Sequence, residues 1–156
     1  MKKLMLLAVL ALVAVPIALA AKPTTPGSNG TGGKALVAKL SGANAQAHAG
    51  DHGNVIVRLN AKTLKVCWSY SNLKLTPKDG LGATPTLSHI HTGAAGVAGP
   101  ILVGFGGSFT RSGCTTATKE IITAILANPS GYYVNVHNAS YPAGAIRGQL
   151  KKGAPA

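Results

Sequence analysis

Two histidines separated by one residue, His89-Ile90-His91, are the residues of this chain best placed to do chemistry. On a strand, side chains alternate with a period of two, so Leu87, His89 and His91 face one way and Ser88, Ile90 and Thr92 the other. Two ring nitrogens on one face can address the same cation. His137, in the strand-like run Tyr132 to His137, would add a third ligand, and His48, Asp51 or His52 would supply a fourth from a loop. Such a set of nitrogen and oxygen donors suits zinc or copper(II). The competing expectation is structural. Gly93, Gly96, Gly99 and Pro100 follow the paired histidines at intervals that suit a tight loop, and imidazoles can hydrogen-bond the backbone of such a loop. His137 and Asn135 would do the same for a turn at Tyr141-Pro142.

Other chemistries find less support. No serine sits in a nucleophile-elbow context, and the three carboxylates, Asp51, Asp79 and Glu120, are not spaced as an acid/base pair. Hydrolysis is therefore not expected. Cys67 and Cys114 are the only cysteines, and an even pair in an exported chain is most simply a disulfide. Export is expected because Lys2 and Lys3 precede an apolar run from Leu4 to Leu19, which ends in the small-residue site Ala18-Leu19-Ala20. No cysteine follows that site to carry a lipid, and no second stretch approaches a membrane span. The expected location is secreted or periplasmic.

Cleavage after Ala20 leaves thirteen basic residues against three acidic ones. That imbalance favours anionic surroundings, although the cations are scattered along the chain and form no nucleic-acid signature. An extracellular protein or an anionic envelope polymer is the expected partner, with no specific nucleic acid. Tyr133, Asn135, Tyr141 and Arg147 are assigned to a contact surface, because aromatics anchor interfaces well. Trp68 and Tyr132 fall on apolar faces and are assigned to the core.

The elements that must position these residues are mostly strands. Residues 1–20 form the signal segment, 21–33 a Gly, Pro and Thr-rich flexible tether, 34–150 one folded domain and 151–156 a basic tail. Apolar alternation marks strands at Ala35 to Leu40, Gly53 to Leu59 and Thr63 to Tyr70, with a turn at Asn60-Ala61-Lys62 and a possible extension through Leu73 to Leu75. Thr76-Pro77-Lys78-Asp79-Gly80 is a turn. Ile101 to Val103 restarts a strand after the glycine loop, and Gly104 to Gly113 reads as irregular. One helix is expected after an N-cap at Thr118, with Glu120 in its first turn, an apolar stripe at Ile121, Ile122, Ile125 and Leu126, and a stop at Asn128-Pro129-Ser130-Gly131. The last strands are Tyr132 to His137 and Ala145 to Leu150. Short strands at regular intervals, with one short helix, predict an all-β, antiparallel β-sandwich.

Four segments then point to a family. L-S-G-A at Leu40 to Ala43, the run from His89 to Val103, S-G-C at Ser112 to Cys114, and the run from Asn128 to Leu150 together resemble the CHRD domain, named from chordin. The resemblance implies a β-sandwich module of secreted proteins that binds extracellular ligands, and no reaction. The loop after Leu40 to Ala43 departs from the family, which often continues there with an acidic residue and prolines. The paired-histidine strand, its glycine loop and Ala143-Gly144-x-x-Arg147-Gly148 are also similar to copper/zinc superoxide dismutase, another sandwich. No histidine bridging two metals can be identified, and shared architecture does not transfer activity. The leading expectation is a noncatalytic binding module without a firm cofactor. Its rival is a copper or zinc protein that uses His89, His91 and His137, with dismutase-like redox chemistry as its furthest extension.

Overall fold

Leu36, Ala38 and Leu40 alternate with Val37 and Lys39, and that period of two sets both the first strand and the face it buries. The computed structural model describes residues 33–153. The signal segment, all but the last residue of the tether and the end of the tail lie outside the described residues. In chain order the elements are β1 (Lys34–Ser41), β2 (His52–Asn60), β3 (Lys65–Lys74), β4 (Pro85–Thr92), β5 (Ile101–Gly104), β6 (Ser112–Thr116), α1 (Lys119–Ala127), a 3₁₀ turn (Pro129–Gly131), β7 (Tyr132–Asn138), β8 (Tyr141–Gln149) and β9 (Lys151–Lys152).

The strands pair in the order β5-β4-β7-β8-β1-β2-β3-β6, every neighbour antiparallel, with β9 on β1. This one sheet folds over on itself as an antiparallel β-sandwich. Its halves, β5-β4-β7-β8 and β1-β2-β3-β6, meet where Ser41 of β1 opposes Arg147 of β8. Across the other side, Phe105 and Phe109 donate backbone hydrogen bonds to Ser88 and Thr86, while Tyr70 donates to Arg111. The segment between β5 and β6 therefore closes the sandwich.

Between the halves lie Leu40, Val57, Val66, Ile90, Val134 and Ile146, all buried. Each such side chain contributes roughly 1.5–3 kcal/mol on leaving water. Trp68 stacks on Phe105 with centroids 4.4 Å apart, and its Nε1 donates to the Thr110 carbonyl. The helix forms as expected: Thr118 Oγ1 accepts from the Ile121 N–H, and Ile122 and Ile125 plug one end of the core.

Four details differ from the sequence reading. Ser112–Thr116 pairs with β3 as strand β6, where no strand was expected. The second hairpin turns later than expected, because Asn60 Oδ1 accepts from the N–H groups of Lys62 and Thr63 and holds the chain in a turn until Lys65. The final strand starts early, at Tyr141, because Asn138 Oδ1 accepts from the Tyr141 N–H and makes the hairpin tight. Lys151 and Lys152 form β9 against Val37 and Leu36 instead of beginning a free tail.

Candidate functional site

Strand pairing fixes the histidines. In the β4–β7 register, Leu87 opposes His137, His89 opposes Asn135 and His91 opposes Tyr133, so all six share the outer face of the sheet. Ile90, Val134 and Val136 lie on the inner face in the core. His89 and His91 are nevertheless only 8% exposed, since residues 93–100 fold back over them. The Gly99 carbonyl accepts from His91 Nδ1 at 2.9 Å, and the Gly99 N–H donates to Tyr133 Oη at 3.2 Å. Tyr133 in turn lies flat against the His91 ring, 4.8 Å between centroids. On β8, Gln149 Nε2 donates to the carbonyl of Gly93 and anchors the start of the loop.

The three rings converge. One ring nitrogen from each of His89, His91 and His137 lies within 4.8 Å of the others, and His89 Nδ1 is 3.1 Å from His91 Nε2. Among the described residues, no other group of three or more His, Cys, Asp and Glu gathers in this way. Backbone carbonyls only accept, so the partners of His91 and His137 settle their tautomers. His91 carries its proton on Nδ1 toward Gly99, and His137 carries its proton on Nδ1 toward the Pro142 carbonyl, 2.8 Å away. Both leave Nε2 bare. The Nε2 of His137 is buried and has no hydrogen-bond partner.

Burial, reinforced by the neighbouring His137 and His91, pushes the His89 imidazole down to about 4, and burial likewise lowers His137. At neutral pH both are uncharged. The other charged group on this face is Arg147, whose guanidinium carbon sits 5.2 Å from the centre of the Tyr133 ring. The unfolded chain therefore binds protons on these histidines at a higher pH than the folded one does. Stability should be full above about pH 6.5 and fall as the pH drops toward about 4, by about 1–3 kcal/mol in all. Urea unfolding of EDTA-treated protein across that window checks this, and His89→Gln should flatten the slope.

The remaining predicted site residues scatter. Tyr133 and Asn135 are buried under the loop and beside Gly144, so they do not form a contact surface as the sequence suggested. Tyr141 is half-buried, with Lys78 Nζ 5.8 Å from the centre of its ring. Arg147 is half-buried and donates from Nε to the Asn44 carbonyl. The proposed fourth ligands are engaged elsewhere. Asp51 is fully buried and accepts from His48 Nδ1, the Thr76 N–H and Thr76 Oγ1. His52 binds the Gly50 carbonyl. Cys67 and Cys114 are direct partners in the β3–β6 register and are joined as a disulfide.

The profile of the CHRD domain matches residues 36–150. The chain belongs to the CHRD family. No curated protein and no solved structure matches it. The matched span runs from β1 through the residue after β8, so it takes in the histidine face, the glycine loop and the disulfide.

A second feature of this CHRD domain was only partly legible in the sequence. On the outer face of the other half-sheet, Lys39 opposes Asn54, Val37 opposes Ile56 and Ala35 opposes Arg58. Lys151 lies beside Val37 on the other side. Serines 69 and 71 and Lys65 continue the face on β3. Register alone brings Lys39, Arg58 and Lys151 to within about 8–14 Å of one another at the backbone. Strands β1, β2, β3, β6 and β9 contain no Asp or Glu. Signals for this face were present in the alternation of β1 and β2, but the β1–β9 pairing was not.

Proposed function

We propose that this CHRD domain is an exported, noncatalytic binding module, and that its partner is an acidic polysaccharide of the cell envelope or extracellular medium. The observation that carries the reading is the face just described, on which each charged side chain is positive. A disulfide and the CHRD match support a location outside the cytoplasm, and among the described residues no helix is long and apolar enough to cross a membrane.

The chemistry of the face favours a glycan over other polyanions. Hydroxyl and amide groups of Ser69, Ser71 and Asn54 stand among the cations, and these bond sugar hydroxyls and carboxylates alike. Trp68 and Tyr70 point inward, so no aromatic is available on this face to stack on the bases of a single-stranded nucleic acid. Val37 and Ile56 are 36% and 44% exposed but flush with the strands, suited to the apolar face of a sugar ring and unable to wedge into a bilayer. Tyr141, beside Lys78, and Arg147 lie outside this face and are peripheral to it.

The test is binding to immobilised polygalacturonate, with uncharged dextran as control. Raising salt from low to physiological strength shortens the screening length toward about 8 Å, and affinity should fall about tenfold or more. Lys39→Glu/Arg58→Glu should abolish retention while leaving the protein folded, since Lys39 is exposed and Arg58 half-buried on the outer face, away from the core. Salt-insensitive binding, or full retention by the folded double variant, would refute the reading.

A further inference from the structure

We propose that His89, His91 and His137 form a binding site for a late transition-metal dication, zinc or copper(II), with three imidazole nitrogens as ligands and a fourth coordination position left for water or a small exogenous ligand. The site lies on the opposite half-sheet from the basic face and stands independently of it.

The spacing of the ring nitrogens fits a small tetrahedral ion. Bonds of 2.0–2.1 Å from a tetrahedral ion place its ligand nitrogens about 3.3 Å apart. His89 Nδ1 and His91 Nε2 already stand 3.1 Å apart, and no pair in the set exceeds 4.8 Å, so the third ring has at most about 1.5 Å to close. Both strands that carry the rings are held on their inner faces by core side chains, so the cluster sits on rigid elements.

A ligating histidine typically donates its other ring N–H to a carbonyl or carboxylate, which fixes the tautomer and raises ligand basicity. Gly99 and Pro142 do this for His91 and His137. His89 needs one adjustment. Without a cation its Nδ1–H donates to His91 Nε2, because that nitrogen is bare. On metal binding this proton leaves Nδ1 and a proton is taken up at Nε2, so the ring stays neutral and Nδ1 becomes the ligand. The tautomer exchange neither gains nor loses a proton overall, so the bound site carries the charge of the ion alone, and no oxidant or reductant is required.

One ring nitrogen of the cluster is left unsatisfied. A purely structural cluster would be expected to pair its buried nitrogens, yet His137 Nε2 is buried, bare and without a partner, on a ring whose centre lies 4.7 Å from that of His89. Asn135 Oδ1, on the residue opposite His89, is likewise buried without a partner. Donor type selects the ion. Three neutral imidazoles with no carboxylate or thiolate among them suit zinc and copper(II), and disfavour calcium and magnesium, which require oxygen ligands. Asp51 is engaged by His48 and Thr76, and both cysteines are in the disulfide.

The experiment is calorimetric titration of the EDTA-stripped domain with Zn²⁺, Cu²⁺, Mg²⁺ and Ca²⁺. One equivalent of Zn²⁺ or Cu²⁺ should bind and raise the thermal midpoint, while Mg²⁺ and Ca²⁺ should do neither. His137→Gln should weaken binding by about 100-fold, and His52→Gln should leave it unchanged. X-ray absorption of the wild-type complex should show three imidazole nitrogens, a readout that holds even where a histidine variant fails to fold. Absence of one-to-one binding by the wild-type protein would overturn the proposal. So would unaltered affinity in a folded His137→Gln, or absorption data showing fewer than three imidazoles.

Discussion

Replacing Cys67 and Cys114 together with serine should cost about 4 kcal/mol and lower the thermal midpoint by roughly 15 °C. The two cysteines are 47 residues apart in sequence, and opening a loop of that length returns the corresponding chain entropy to the unfolded state. Local structure compounds the effect. Strand β6 reads Ser-Gly-Cys-Thr-Thr and is an edge strand, so apart from backbone pairing to β3 the disulfide is its main attachment. Trp68 is the only tryptophan, and it packs against Gly113 of that strand. Its fluorescence therefore reports both the global transition and any earlier detachment of β6. A change in urea midpoint equivalent to less than about 1 kcal/mol, with unchanged tryptophan emission, would show that the sheet holds its edge without the bond.

That same edge shows where sequence reasoning stopped. Strands β1, β2 and β3 were legible because Leu36, Val57 and Trp68 recur with period two and each strand has one wet face. The helix was legible through Thr118 and its isoleucines. Strand β6 was not, since a run of glycine and hydroxyl residues carries no alternation and becomes a strand only by pairing with β3. Two residues of β9 are too few to carry a pattern at all.

The histidine face was half legible. The spacing of His89 and His91 gave their common side, and the β4–β7 register, which no single strand encodes, brought His137 to them and left His48, Asp51 and His52 behind. Alternation also could not show that both faces of β4 and β7 are covered. The outer one is covered by a loop whose sequence is mostly glycine and alanine, and this is why Tyr133 and Asn135, assigned to the surface, are inside.

Gly99→Ala should be the most disruptive single change in that loop, costing about 3 kcal/mol or more. A β-carbon there would stand 1.7 Å from the Thr92 carbonyl oxygen, and the obstacle is backbone at the end of β4 rather than a side chain free to turn away. Gly96, three residues earlier, has open space around its missing β-carbon but a φ of +81°, so Gly96→Ala should cost only about 1 kcal/mol of backbone strain. The contrast separates contact from conformation within one loop, and denaturant unfolding of the two variants measures it. The larger effect also reaches the histidines. Gly99 holds His91 through its carbonyl and Tyr133 through its N–H, so displacing it releases the His91 tautomer while leaving all three imidazoles in the chain. If the Gly99 carbonyl sets His91 Nε2 bare, the folded fraction of Gly99→Ala should bind Zn²⁺ or Cu²⁺ at least about tenfold more weakly than wild type, whereas Gly96→Ala should bind as wild type does. Equal weakening in both variants would mean that the loop acts on the cluster only by covering it.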